Sequence, residues 1–93
     1  MSEAELYEQG SVFLANADIP SAVNVFGTLE ARFPFSTSAQ QSILDLAFAY
    51  YDFGQKDETI AECDRFIDLY PNHPNLDYAF YLRAISNLEK GQP

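Results

Sequence analysis

The chain has 93 residues, of which 47% are hydrophobic and 20% are charged, as is typical of one small globular domain. Its formal charge of −9 argues against nucleic acid or an anionic membrane surface as the main partner, because both bind through clustered Lys and Arg. No apolar run approaches the roughly 20 residues that span a bilayer, the start does not resemble a signal peptide, and the single cysteine excludes an internal disulfide.

Apolar residues recur with the helical period along the whole chain, and we predict five α-helices and no strand. Prolines and glycines interrupt the pattern: Pro34 and Pro71 each end an apolar segment, and each is followed at the same distance by a glycine, Gly54 or Gly91. The predicted helices are 3–16, 19–32, 38–53, 57–69 and 75–90.

Polar residues suited to capping lie at the start of the four later helices, where they can satisfy free backbone N–H groups or interact with the helix dipole. They are Asp18 at the second helix, Ser38 with Gln41 in a capping-box spacing at the third, Asp57 and Glu58 at the fourth, and Asn75 at the fifth.

The two prolines are 37 residues apart, which indicates a repeat of roughly 34 residues with a short insertion. Alignment on the prolines places Gly10, Ala47 and Ala84 at one position, where small side chains let two antiparallel helices cross closely. This spacing of small and large residues resembles the tetratricopeptide repeat. We therefore predict an all-α, tetratricopeptide-type helix-turn-helix solenoid of about two and a half repeats, forming one domain over residues 1–93. Its parts are repeat one at 3–34, repeat two at 38–71 and the first helix of repeat three at 75–90.

Several stretches carry a closer resemblance. Two prolines around a histidine, as in Pro71-Asn72-His73-Pro74, are not needed by ordinary tetratricopeptide repeats and form the most specific stretch. The others are Arg32-Phe33-Pro34-Phe35, Gln40-Gln41, Asp45-Leu46-Ala47-Phe48-Ala49-Tyr50-Tyr51, Asp64-Arg65-Phe66-Ile67 and Asn75-Leu76-Asp77-Tyr78-Ala79-Phe80-Tyr81-Leu82-Arg83. Together they resemble the amino-terminal half of the BamD/ComL lipoproteins of the bacterial outer-membrane β-barrel assembly machinery.

The resemblance implies a non-catalytic lipoprotein subunit at the periplasmic face of the bacterial outer membrane. Its partners would be outer-membrane β-barrel substrates and other subunits of the machinery, and its membrane contact would be a lipid anchor absent from this chain. The sequence departs from the family in having no lipidated cysteine near its start and in placing Ala84 where the family often has glycine. It also lacks the later repeats, which in the family hold much of the contact with other subunits.

The first helices of tetratricopeptide pairs line a concave face, and here that face carries an unusual number of aromatic residues. Exposed apolar patches usually mark binding sites, so we expect an extended peptide or a partner loop to lie along this groove. The alternative is that some of these side chains pack between neighbouring repeats. The predicted groove residues are Tyr7, Ser11, Leu14, Gln41, Leu44, Phe48, Tyr51, Tyr78, Tyr81, Ile85 and Leu88.

Catalytic chemistry is not indicated, because no nucleotide-binding, hydrolase or metalloprotease motif occurs. We predict no enzyme activity, no cofactor and no metal site. His73 is predicted to shape the turn between repeats, and Cys63 to be a small buried core residue. Asp45, Asp52 and the other helical carboxylates are interpreted as charged surface.

Two functions remain open from sequence: a subunit of outer-membrane protein assembly, or a generic cytosolic tetratricopeptide scaffold or co-chaperone, which would be cytoplasmic. The predicted groove has no basic residue with which a co-chaperone could clamp a terminal carboxylate. A lipid-accepting cysteine encoded upstream of Met1 would favour the first. The fifth helix has no second helix to complete its pair, so self-association through residues 77–90 is also expected.

Overall fold

The computed structural model describes residues 1–91, and within this range the chain is helical with no strand. The predicted all-α helical repeat is confirmed, and each predicted helix boundary lies within one residue of the observed one. Residues 92 and 93 of the predicted domain lie outside the described part. The helices are α1 (Glu3–Ala15), α2 (Ile19–Arg32), α3 (Thr37–Asp52), α4 (Lys56–Leu69) and α5 (Leu76–Lys90).

Successive helices pack against one another. Helix α1 lies mainly against α2, α3 against α4, and α4 against α5, while α1 and α2 both also contact α3. The resulting body measures 45 × 30 × 16 Å, an elongated and flattened shape suited to presenting one broad face. None of the described helices combines the length and the apolarity needed to cross a bilayer.

Helix starts agree only in part with the predicted caps. Asp18 caps α2 as predicted, since its carboxylate accepts the Ser21 N–H at 3.2 Å. Ser38 was the wrong serine: Ser36 caps α3 by accepting the Ala39 N–H at 3.1 Å. The Ser38 hydroxyl instead donates to Glu3 of α1 at 2.6 Å, a long-range contact that no local pattern reveals.

The start of α5 is organised by His73 and not by the Asn75 side chain. Asn75 occupies the cap position but makes no side-chain cap bond, and its amide Nδ2 donates to Gln41 Oε1 at 3.3 Å. Its backbone N–H donates to Nδ1 of His73 at 2.9 Å, and the His73 ring packs edge-on against Phe66 with centroids 4.9 Å apart. The predicted role of His73 in shaping this turn is confirmed.

Close helix crossing depends on small residues, as the repeat alignment predicted. A Cβ atom on Gly10 would lie 2.2 Å from the ring of the fully buried Phe26, so only glycine fits this crossing of α1 and α2 without a shift. In the second pair the matching residue, Ala47, packs with Cys63. Ala84 is exposed, because no helix within residues 1–91 covers that side of α5.

Cys63 lies in the core, as predicted. Its side chain is fully buried beside Ala47 and Leu82. Burial, followed by the nearby charge of Asp64, raises the pKa of the Cys63 thiol to about 11. The thiol therefore stays protonated near neutral pH, which is typical of an inert structural cysteine.

Candidate binding groove

A groove of about 710 Å³ lies between α1, α3 and the first turn of α5. Most of its lining comes from α3, whose contributing residues recur at helical spacing and so share one face. The lining residues are Ser11, Leu14, Ala15, Ala17, Gln41, Leu44, Asp45, Phe48, Ala49, Asp52, Phe53 and Tyr78.

Six residues predicted for the concave face line this groove. Phe48 presents the largest apolar surface among them, because its side chain is 51% exposed near the middle of the α3 face. Leu44 contributes only a floor, since it is almost completely buried and belongs to the core. The six are Ser11, Leu14, Gln41, Leu44, Phe48 and Tyr78.

The other five predicted residues do not line the groove. Ile85 is half-buried and packs on the core cluster that contains Cys63. Tyr51 is half-buried, and its hydroxyl donates to Glu89 of α5, which raises the pKa of Tyr51. Tyr81 and Leu88 are 61% and 67% exposed on α5. Tyr7 lies behind the groove, where its ring stacks on Phe26 with centroids 5.8 Å apart.

Sequence reasoning missed several lining residues. Asp45 and Asp52 lie on the same α3 face as Phe48, so their spacing alone was enough to place them in the groove. Ala17 adopts a left-handed conformation with φ of 61°, which no local signal in an alanine indicates. Ala15, Ala49 and Phe53 complete the missed set.

A hydrogen-bonded network around Asp45 ties the walls of the groove together. The Tyr7 hydroxyl of α1 donates to Oδ2 of Asp45 at 2.5 Å, and Gln41 Nε2 donates to Oδ1 at 3.0 Å. Asn75, at the start of α5, then donates to Oε1 of Gln41 at 3.3 Å. Because the network joins three helices, it fixes the side chains on which the shape of the groove depends.

The environment of Tyr7 raises the pKa of its hydroxyl group. Burial, the hydrogen bond to Asp45 and the charge of that carboxylate raise the pKa of Tyr7 to about 12. Tyr7 therefore remains a neutral hydrogen-bond donor at physiological pH. Burial likewise raises the pKa of Tyr78 at the other wall, so its hydroxyl is also neutral there.

The groove lining mixes apolar and polar side chains. Apolar surface from Leu14, Phe48 and Phe53 is combined with a few polar groups, as in many ligand-binding clefts. Among the described residues, no three His, Cys, Asp or Glu side chains are grouped closely enough to hold a metal ion.

Comparison with known proteins gives a consistent set of relatives. The sequence model of the YfiO family, described as outer membrane lipoprotein, matches residues 1–93. The chain is 46% identical over 84 residues to a protein of Neisseria meningitidis serogroup B, covering 90% of this chain and 32% of that protein. It is 40% identical over 85 residues to a protein of Caulobacter vibrioides (91% and 28%) and 35% identical over 89 residues to one of Pasteurella multocida (96% and 34%). All three relatives are named outer membrane protein assembly factor BamD, and this chain spans about a third of their length.

Proposed function

Since the chain belongs to the YfiO family of outer membrane lipoproteins, we propose that it is a non-catalytic protein-binding part of an outer-membrane β-barrel assembly subunit. The relatives named as assembly factors support this function over that of a cytosolic scaffold or co-chaperone. The full-length protein would be held by a lipid anchor at the periplasmic face of the outer membrane. This segment would then present its groove to unfolded β-barrel substrates or to the extended arms of partner subunits.

The half-exposed ring of Phe48 is the observation that carries this proposal. The ring lies in the groove of about 710 Å³, where Leu14 and Tyr78 also expose apolar surface. An aromatic ring in such a cleft gains contact area when an apolar side chain of a partner covers it. Covering Phe48 would therefore provide the main favourable contribution to binding.

The polar groups of the lining would orient the bound segment. Ser11 and Gln41 lie on opposite walls, and the neutral hydroxyl of Tyr78 offers both a donor and an acceptor. An extended segment has unpaired backbone N–H and C=O groups that such side chains satisfy. A groove that binds through apolar contact with Phe48 and through backbone hydrogen bonds would bind segments of many different sequences. A subunit that serves many substrates requires this.

Site-specific photo-crosslinking tests the proposal. We expect a photoreactive phenylalanine derivative at position 48 to capture peptides from outer-membrane β-barrel proteins, because position 48 lies in the groove. The matched control is the same derivative at position 35, where the natural side chain is 91% exposed and outside the groove lining. Excess unlabelled peptide should suppress capture at position 48. Equal capture at both positions would show that the groove is not the binding face.

We also propose that α5 supports self-association. Its residues Phe80, Tyr81 and Leu88 are all exposed on one side of the helix, and an exposed apolar patch favours burial against another surface. Light scattering over a concentration series should then show the mass rising from one chain towards two. Leu88→Glu should hold the chain at the mass of a monomer, because it would place a charge in the contact. A constant monomer mass for the unsubstituted chain at all concentrations would contradict this proposal.

A further inference from the structure

We infer that the groove prefers segments in which a Lys or Arg side chain accompanies an apolar one. This preference rests on the proposed function and specifies the kind of segment that the groove receives. It follows from the charges on the groove walls, from the placement of the basic residues and from the neighbours of Phe48.

The two helices that form most of the groove carry negative charges and no positive ones. Helix α1 contains three glutamates and α3 two aspartates, and neither contains Lys, Arg or His. The only charged residues in the groove lining are Asp45 and Asp52. An approaching segment therefore meets a field of one sign, which attracts cationic side chains and repels carboxylates.

The basic residues of the chain do not neutralise this field. None of the five lines the groove, and three of them pair with carboxylates of other surfaces. Arg65 binds Glu30 at 2.7 Å and Glu62 at 3.0 Å. The other pairs are Arg83 with Asp64 and Lys90 with Asp57.

Neither groove carboxylate has a cationic partner among the described residues. Asp45 is half-buried, and the side chains that hydrogen-bond to it, Tyr7 and Gln41, are both neutral. Asp52 is exposed, and neither aspartate joins an ion pair within residues 1–91. A cationic side chain of a partner would therefore not compete with a Lys or Arg within residues 1–91 for either carboxylate.

Their spacing sets the pattern of the segment. Asp45, Phe48 and Asp52 share one face of α3, with the ring between the two carboxylates. Seven residues of α-helix separate the aspartates by about 10 Å along the axis, comparable to the Debye length at physiological salt. A segment whose apolar side chain covers Phe48 therefore brings cationic neighbours on either side within effective range of a carboxylate.

A matched peptide series tests the preference. Three short peptides would share a central Phe and differ only at two flanking positions, which carry Arg, Gln or Glu. Exposed ion pairs contribute modestly, so we expect the Arg peptide to bind about tenfold more tightly than the Gln peptide, and the Glu peptide least tightly. The difference should shrink as the salt concentration rises. Fluorescence anisotropy of labelled peptides at low and high salt measures these affinities.

Variants of the protein locate the effect. Asp52→Asn should weaken binding of the Arg peptide by about two- to fivefold and that of the Gln peptide by less, because Asp52 lies in the groove lining and the change removes its charge while nearly keeping its shape. Asp45→Asn should act in the same direction. The control is Asp68→Asn, an exposed residue of α4 outside the groove lining that changes the net charge by the same amount.

The possible outcomes separate the inference from the proposed function. If the Arg and Gln peptides bind equally and both need their central Phe, the charge preference is wrong and the proposed function stands. If Asp68→Asn weakens the Arg peptide as much as Asp52→Asn does, attraction is a property of the whole chain and the inference is overturned. If no peptide binds, or the central Phe is irrelevant, the proposed function fails and the inference fails with it.

Discussion

Replacing Phe66 by alanine is expected to lower the free energy of unfolding by about 3–5 kcal/mol, among the largest effects that a single change can have in a chain of this size. Phe66 is fully buried and packs in a cluster with Ile43, Leu44 and Ala79. Its ring also supports His73, which organises the start of α5. The change would leave a cavity where α3, α4 and α5 meet, because rigid helices collapse only partly around a lost ring.

Denaturant unfolding followed by circular dichroism measures this loss. Phe35→Ala is the matched control, since it removes the same group from a side chain that is 91% exposed, and surface changes usually stay within about 0.5 kcal/mol. Leu44 packs in the cluster of Phe66 and also forms the groove floor. Phe66→Ala should therefore also weaken ligand binding. Equal stability losses for the two variants would show that the packing around Phe66 is wrongly described.

Most of the fold could be predicted because its signals are local. The helical period of the apolar residues located each helix, and Pro34, Pro71 and Pro74 forbade continuation through the connections. The prediction of Ser38 as the cap of α3 was wrong, because Ser36 caps the helix while the Ser38 hydroxyl donates to Glu3 on another helix. Local patterns do not encode which of two neighbouring serines a distant carboxylate will engage.

The candidate site was less predictable, because it depends on how the helices are rotated against one another. Repeat geometry assigned the first helix of each pair to the concave face, and three of the four residues predicted on α3 line the groove, while Tyr51 does not. Helix α5 contributes only Tyr78, while Tyr81 and Leu88 lie outside. Asp45 was interpreted as surface charge although its spacing from Phe48 places it on the groove face. Only its hydrogen bond with Tyr7, which joins residues 38 apart in sequence, has no local signal.

Phe48→Ala is expected to weaken binding of an apolar extended segment by tens of fold while leaving the helical signal intact. Losing roughly 100 Å² of apolar contact at about 25 cal/mol per Å² removes about 2.5 kcal/mol before any relaxation. The fold should tolerate the change, because the Phe48 side chain is half-exposed and belongs to none of the buried core clusters. Calorimetric titration with peptides from outer-membrane β-barrel proteins measures the affinity, and circular dichroism checks the fold.

Two further alanine variants define how far the binding face extends. Phe35→Ala removes an aromatic ring outside the groove and should leave the affinity unchanged. Tyr81 lies near Tyr78: burial and other nearby groups contribute most to the raised pKa of Tyr78, and Tyr81 adds a smaller contribution. Tyr81 itself does not line the groove. If Tyr81→Ala weakens binding as strongly as Phe48→Ala, the bound segment continues along α5 and the concave face is as wide as the sequence predicted. If only Phe48→Ala acts, binding is confined to the cleft between α1 and α3. Should Phe48→Ala bind as tightly as the parent chain, its ring has no part in recognition and this face is not where a partner lies.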